Sequence, residues 1–345
     1  MPFASAQIGL GFRNEIAPRA GILRVREFQM AEIEHFVDPT NKFHPKFGSY
    51  EHLKLPLFSQ EQQEKMEEPL RNLTLGQAVD QKIIGNETLA YFMCRTFLFL
   101  VKVGVNPNNI RFRQHKKDEM AHYASDCWDA EIEISYGWME CVGIADRACF
   151  DLTNHAKFSK TTLQAARRLE KPLLVNILEI EPNKQKLGKE FKSESKAILS
   201  ILEGLDEKGK RNLKKQVEQK GKVDITVEAK TYSLSAEYFN FKEEEKIMNE
   251  EKFVPHVIEP SFGISRILYS VLEHSFRMRD EKRTFLALPP WIAPVKCSIL
   301  TVIALPEFEP FTKALRINLI TIIMNYIIIH YIFIRKQFEE KWCLE

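Results

Sequence analysis

The side chains best equipped for chemistry crowd into the first forty positions. Phe12-Arg13-Asn14-Glu15-Ile16, a Pro18-Arg19-Ala20-Gly21 turn, and the run from Ile22 to Phe36 read as two extended segments joined by a loop. Alternation along a strand puts Arg13 and Glu15 on one face, and Arg24, Arg26, Phe28, Met30, Glu32 and Glu34 on one face of the return strand. Charged groups seldom line the inside of a sheet unless they pair or bind something. Guanidinium forks grip phosphate or carboxylate oxygens, an aromatic face stacks on a purine, and a carboxylate holds an ammonium group. That set suits a nucleotide together with an amino acid. The same residues also allow a solvated ribbon in which Arg and Glu pair across the strands.

Two later stretches add polar groups to apolar runs. In Ser135-Tyr136-Gly137-Trp138-Met139-Glu140-Cys141-Val142-Gly143, a period of two puts Tyr136, Trp138, Glu140 and Val142 on one face. A carboxylate there needs a partner: magnesium carried by a nucleotide, or an arginine such as Arg147 or one near the N-terminus. In Val257 to Arg266, a strand is expected to end at Pro260 with Glu259 and Ser261 facing the same way. Gly263 then opens a helix whose stripe is Ile264, Ile267, Leu268, Val271 and Leu272. Arg266 lies off that stripe near the positive helix N-terminus, where a polyphosphate is favoured. Glu119-x-x-His122 lacks the spacing and ligand count of a metallohydrolase.

The elements that must position these groups follow from pattern. Residues 38 to 75 are polar and read as surface loop with a short helix in the charged run Gln60 to Glu68. Asn86 caps a helix whose Leu89, Phe92, Met93, Phe97, Leu100 and Val101 form a core face. Between Lys184 and Lys222 there are twelve Lys or Arg against six Asp or Glu, on helices expected over Ser193 to Leu205 and Lys208 to Lys220. The excess suits a phosphate backbone or a solvated helical face. Elsewhere the 345 residues carry ordinary globular composition with a net charge of +2. The six cysteines form no Cys-x-x-Cys pair and read as reduced thiols, consistent with the cytosol or the mitochondrial matrix.

The run Ile8-Gly9-x-x-Phe12-Arg13-Asn14-Glu15-Ile16-x-Pro18-Arg19, followed by Arg24-Val25-Arg26-Glu27-Phe28-x-Met30-Ala31-Glu32-Ile33-Glu34-His35-Phe36, resembles motif 2 of eukaryotic-type glycyl-tRNA synthetases, class II aminoacyl-tRNA synthetases. Arg111-Phe112-Arg113-Gln114-His115, Glu119 to Ala124 and Asp126-Cys127-Trp128-Asp129 resemble that family's central strands, where the polar groups would brace the sheet. Glu259-Pro260-Ser261-Phe262-Gly263-Ile264-Ser265-Arg266 resembles motif 3, with Ser265 in place of a second glycine. If that position needs positive φ or a close backbone approach, serine costs roughly 1 kcal/mol or more and impairs ATP fit.

The resemblance implies an α+β fold: a class II antiparallel sheet flanked by helices, an inserted α/β subdomain and the start of an α/β anticodon-binding domain. It divides the chain into a catalytic core at 1–157, an insertion reaching toward the tRNA acceptor end at 158–254, and motif 3 at 255–288. A linker and the start of the anticodon-binding domain follow at 289–315, with a buried strand from Val295 to Ile303 and a helix start from Glu307 to Leu315. A divergent tail closes the chain at 316–345. It implies ATP with Mg2+ as cofactor, glycine and tRNA(Gly) as substrates, and a homodimer built on motif 1, which lies upstream of Met1 and leaves the dimer in doubt. Arg13, Glu15 and Arg266 become the catalytic residues, with Arg13 on the α-phosphate and carboxylate and Arg266 on the far phosphates. Asn14 binds the nucleotide, Glu15 with Arg24 and Val25 fixes its adenine end, Phe28 stacks on the ring, and Glu140 with Cys141 lies at the ATP and metal position. Glu32, Glu259, Pro260 and Ser261 enclose glycine. Two other readings stand beside this: a remnant that binds nucleotide or tRNA without charging it, and a membrane-tethered variant. The latter rests on Ile317 to Ile334, eighteen uncharged residues holding Asn318, Asn325 and His330, which read as a sticky replacement tail rather than an anchor.

Overall fold

The computed structural model describes residues 1–319 except 2, 19, 20, 121, 206, 228, 229, 297, 300, 303 and 304. Its centre is one sheet of seven strands: β1 (Phe3–Phe12), β2 (Glu27–Val37), β3 (Leu57–Phe58), β4 (Ile110–Gln114), β5 (Asp126–Ile134), β6 (Gly137–Asp146) and, much later in the chain, β11 (His256–Gly263). Their lateral order is β1-β2-β11-β6-β5-β4-β3, antiparallel throughout except for the parallel β3–β4 pair at one edge.

One sheet face is apolar. Phe112, Trp128, Ala130, Ile132, Val142, Ile144 and Ile258 share a buried cluster with Leu89, Phe92, Met93 and Leu100 of α3 (Glu87–Lys102) and Ile267 and Val271 of α8 (Ile264–Ser275). Asn86 caps α3 as its sequence suggests, its side chain accepting from Leu89 N. Leu268 and Leu272 fall outside the core, 50% and 37% exposed, so the stripe of α8 is narrower than its pattern.

The stretch from 38 to 75 is not all surface loop. Leu55, Leu57 and Leu75 are at most 1% exposed, and Leu57 exchanges backbone hydrogen bonds with Leu70. Isolated leucines beside prolines carry no periodicity, which hid a two-residue strand. Helices α1 (Gln60–Lys65) and α2 (Leu75–Asp80) follow it.

After α4 (Phe150–Ser159), strands β7 (Ala165–Pro182) and β10 (Phe239–Phe253) form an antiparallel ribbon, in register from Ala165↔Phe253 to Pro182↔Phe239. Between them lie α5 (Lys184–Phe191), α6 (Ser195–Glu203), α7 (Glu207–Lys220), and the hairpin β8 (Lys222–Val227) with β9 (Lys230–Ser235). These have a separate apolar cluster that includes Leu187, Ile198, Leu202, Leu213, Val217 and Leu234. At the ribbon base Arg167 donates to Asp38 Oδ2 at 2.5 Å and to Glu251 Oε2 at 2.6 Å. Strands β12 (Phe276–Asp280) and β13 (Arg283–Leu286) form a hairpin after α8.

Toward the C-terminus, residues 309–319 are helical, as expected from Glu307 onward. The buried strand expected from Val295 to Ile303 is not formed among the described residues there, and Val295 and Val302 are 71% and 103% exposed. A strand needs a neighbour to satisfy its backbone, and none lies beside it among the described residues. The run Ile317 to Ile334 lies mostly outside the described residues, in which no helix is long and apolar enough to cross a membrane.

Candidate active site

The polar face of the sheet floors a cleft of about 500 Å3, in the size range of small-molecule sites. Register explains which side chains reach it. Phe28, Met30 and Glu32 of β2 stand opposite Gly11, Gly9 and Gln7 of β1. Gly11 has a steric reason to be glycine: a Cβ there would lie 2.7 Å from Met30 Sδ and 2.9 Å from Phe28 Cε2.

Arg13, Asn14, Glu15, Arg24 and Val25 are not in strands, because β1 stops at Phe12 and β2 starts at Glu27. Pro18, which donates no backbone hydrogen bond, and Gly21, at φ +55°, break the ladder, so the residues fall in the connection. Arg13 N still donates to Arg26 O at 2.9 Å, and Arg26 Nε to Glu15 O at 2.9 Å, which ties the connection back on itself. Arg13, Glu15, Arg24 and Val25 line the cleft, whereas Asn14 is exposed outside its lining. Arg24 and Glu15 approach to 3.9 Å, so the cross-strand pairing alternative is partly realised. Such an exposed pair is worth ~0–1 kcal/mol and yields readily to a ligand.

On β6 the simple alternation fails. Ala130 pairs with Val142 but Glu131 pairs with Glu140, leaving Cys141 as an extra residue in a β-bulge. Glu140 and Cys141 therefore both line the cleft, while Val142, expected to share the face of Glu140, turns into the core. The Cys141 thiol is buried against Ser270 and pushed up to about 12 by that burial.

Strand β11 runs through Pro260 rather than ending there; its ladder with β2 skips Glu259 and Pro260, and its ladder with β6 continues. Proline lacks a donor, so only one neighbour is fully bonded. Glu259 and Ser261 point into the cleft, and Pro260 is buried on the other face. Ser261 Oγ donates to Glu32 Oε1 at 3.3 Å, and Gln7 Nε2 to Glu32 Oε2 at 3.4 Å. Arg147 lies 3.2 Å from Glu259 Oε2 and 2.7 Å from Asp151 Oδ2, which makes it the partner of Glu259 and not of Glu140. Burial raises the Glu259 pKa, Arg147 opposes this, and Glu32 and Glu34 add to it. A cation placed among these carboxylates would relieve their mutual repulsion.

Ser265 lies inside α8 and is absent from the positive-φ residues, so the serine carries no backbone strain. The close approach sits at Gly263, where a Cβ would meet Cys141 O at 3.2 Å. Arg266, in the first turn of α8, donates from Nε to Leu23 O at 3.0 Å and from Nη1 to Glu140 O at 2.7 Å. Two carbonyls thus hold its guanidinium at the cleft wall, with Glu140 Oε2 at 3.9 Å.

Glu140 keeps half of its side-chain surface open because the cleft is open, yet protein surrounds it on most sides. This partial burial raises its pKa, with the Asp129 charge next, while Arg266 and Arg13 act against both. Two carboxylates on the wall of one cleft suit Mg2+, which takes oxygen ligands and uses one or two carboxylates with phosphates. Asp129 also holds His115 at 2.6 Å and lifts that imidazole to about 10. The ligand atoms of His115, Cys127 and Asp129 lie within 4.8 Å of one another. His115 and Asp129, expected as braces of the sheet, also line the cleft, and the period-two spacing of Cys127 and Asp129 on β5 is the signal that points there. Glu119 bonds Arg113 at 2.5 Å.

No family model matches the chain. Over 328 residues it is 48% identical to a glycine–tRNA ligase of Caenorhabditis elegans, an alignment covering 94% of this chain and 44% of that protein. Over 316 residues it is 44% identical to glycine–tRNA ligase 1, mitochondrial, of Saccharomyces cerevisiae, covering 90% of this chain and 46% of the relative. The chain spans about half the length of these curated relatives. A solved Giardia lamblia prolyl-tRNA synthetase in complex with prolyl-adenylate aligns with 79% of this chain and 29% of its own at 9% identity and a TM-score of 0.31, too slight a likeness to argue from.

Proposed function

We propose that the chain carries the catalytic region of a glycine–tRNA ligase, activating glycine with ATP and passing the glycyl group to tRNA(Gly). One observation carries this reading. A single cleft holds Arg13 and Arg266, the Phe28 ring, and the Glu32, Glu259 and Ser261 group.

In the first step the glycine carboxylate attacks the α-phosphorus of ATP in line, giving glycyl-adenylate and pyrophosphate. In the second, a hydroxyl of the tRNA 3'-terminal nucleoside attacks the glycyl carbonyl, and AMP leaves. Such transfers rest on positioning and charge stabilisation. Arg13 meets the α-phosphate and the carboxylate, Arg266 the far phosphates, Glu15, Arg24 and Val25 the adenine end, and Phe28 the purine face. Glu140 and Asp129 would hold Mg2+ entering with the nucleotide, which supplies positive charge to the phosphates. Glu32 and Glu259 hold the glycine ammonium, with Ser261 orienting Glu32. A larger amino acid is refused for lack of room, the only handle available when the substrate has no side chain.

The basic insertion goes with tRNA contact, although Lys186, Arg211 and Lys214 already pair with carboxylates. Cytoplasmic residence with a mitochondrial pool fits the same reading. Exposed Ile8, Leu10 and Phe12 on β1 favour weak self-association, readable by analytical ultracentrifugation. The decisive assay is glycine-dependent ATP–pyrophosphate exchange followed by tRNA charging with the purified chain. Exchange with glycine and none with alanine is expected; no ATP binding by a folded sample would sink the proposal.

A further inference from the structure

The ladder arranges the cleft floor in rows. Asp129 of β5 stands opposite Gly143 of β6, and Gly143 opposite Ser261 of β11; Cys127, Ala145 and Glu259 make the neighbouring row. Both middle residues are small, so β6 raises no side chain beyond a methyl beside Cys127 and Asp129, and even a Cβ on Gly143 would lie 3.8 Å from Asp129 Oδ1. His115 closes the other side. It follows the last residue of β4, and its N–H donates to Cys127 O at 2.9 Å, which extends the ladder and sets the ring beside the pair. One nitrogen, one sulfur and one oxygen thereby gather within 4.8 Å of one another at the cleft.

The donor set decides which ion it suits. Mg2+ takes oxygen ligands, whereas imidazole and thiolate select zinc and its neighbours in the transition series. Tetrahedral zinc holds nitrogen and oxygen at about 2.0–2.2 Å and sulfur at about 2.3 Å, which puts neighbouring ligand atoms about 3.3–3.6 Å apart. The three atoms meet that spacing with small side-chain rotations, the 2.6 Å contact of His115 with Asp129 opening by under about 1 Å. Two of the ligands stand on one strand and the third is bonded to it, so the set is held before an ion arrives. Three protein ligands leave the fourth position open to the cleft. Burial raises the Cys127 thiol, and the bond to Asp129 lifts His115 to about 10, so an ion displaces a proton from each. That cost suits reversible binding more than a permanent structural zinc.

We propose that His115, Cys127 and Asp129 form a binding site for Zn2+, and that zinc held there blocks the nucleotide's own Mg2+. The site stands on the cluster alone. The block rests on the ligase reading and adds a regulatory input to it. Asp129 is the shared group: it belongs to the zinc set and also to the carboxylate pair with Glu140. With zinc in place, Glu140 is the single carboxylate left for Mg2+, which must also enter against the charge of the first dication. Zinc therefore lowers the hold on the magnesium nucleotide without touching Arg13, Arg266 or Phe28.

Co2+ is the first probe, because it takes zinc sites and reports a bound thiolate by a sulfur-to-metal charge-transfer band in the near ultraviolet. The unaltered chain is expected to show that band on titration with Co2+ and to lose it when Zn2+ is added. Cys127→Ser keeps the size of the side chain and leaves the pair of His115 and Asp129 in place. It is expected to abolish the band and to weaken Zn2+ binding, read by calorimetry, about tenfold or more. Cys149→Ser, a thiol outside the cleft lining, is expected to change neither. Pyrophosphate exchange by the unaltered chain should fall as Zn2+ rises at fixed Mg2+ and ATP. Cys127→Ser should need about tenfold more Zn2+ for the same loss, with its zinc-free rate within twofold of the unaltered chain. No band in the unaltered chain, or a band that persists in Cys127→Ser, would overturn the site. Exchange equally sensitive to Zn2+ in both proteins would overturn the block. Absent exchange in the unaltered chain without zinc would instead strike the ligase reading, and the cobalt spectrum would still decide the site.

Discussion

Glu32→Gln tests the proposed amino-acid end of the cleft with the least disturbance. The carboxylate stands in register with Gln7 and Ser261 and accepts from both, at 3.4 and 3.3 Å. Glutamine keeps the shape and one acceptor oxygen for Ser261, so the change removes charge and little else. A hydrogen bond to a charged group is worth about 1.5–3 kcal/mol and a neutral one about 0.5–1.5 kcal/mol. The difference, about 1–2 kcal/mol, corresponds to roughly a five- to thirtyfold weaker hold on glycine. Glu259 remains beside Arg147, so binding is weakened and not abolished. The assay is the glycine KM in pyrophosphate exchange, with calorimetric titration of glycine as an independent readout. The ATP KM and the urea midpoint should not move. A glycine KM changed by less than twofold would remove Glu32 from the ammonium site and the reasoning with it.

Three other outcomes are open to measurement. Gly11→Ala forces Phe28 and Met30 aside, an overpacking of about 1–3 kcal/mol, and should raise the ATP KM several-fold while sparing the glycine KM; equal effects on both would contradict the placement of Phe28. Asp146 is 2% exposed and joins Lys42, Asn86 Nδ2 at 2.9 Å and Ala148 N at 3.1 Å, so Asp146→Asn strands a lysine and should cost about 3–5 kcal/mol by urea denaturation, with a loss under ~1 kcal/mol counting against it. His35 and His44, 2% and 4% exposed, are lowered by burial to about 4 and about 3. They stay neutral in the fold while the unfolded chain protonates near pH 6.5, so their contribution is intact above that pH and is lost toward pH 4 and pH 3. Stability should drop by ~2 kcal/mol per histidine between pH 7 and pH 5, and a flat profile over that range would refute the assignment.

Much of this site is written in residue types. The arginines, the carboxylates and Phe28 suit nucleotide and amino-acid chemistry, and period-two spacing places Glu32, Glu259 and Ser261 on the cleft, where they lie. What spacing misreads is local departure from regular strands. The Cys141 bulge changes parity within a single strand, which no alternation rule contains. Pro260 looks like a strand end because proline usually is, yet a strand bonded on one side tolerates it. The strand at Leu57 is too short to have a period. Arg147, Asp129 and His115 look like structural partners because their roles depend on which strands lie beside them, and strand order is a long-range property.

That order has a consequence for how the chain becomes folded. Strand β11 occupies the middle of the sheet, between β2 and β6, yet it is the last of the seven to leave the ribosome. Until it arrives, the hairpin of β1 and β2 and the block from β3 to β6 are two half-sheets with bare inner edges, the condition under which chains pair with the wrong neighbour. The intervening ribbon offers a remedy. By zipping from Pro182↔Phe239 down to Ala165↔Phe253, it brings the two ends of a long excursion together and shortens the search by which β11 finds its slot. An insertion closed in this way would act as an assembly clip, with the central strand, which carries Glu259 and Ser261, set last.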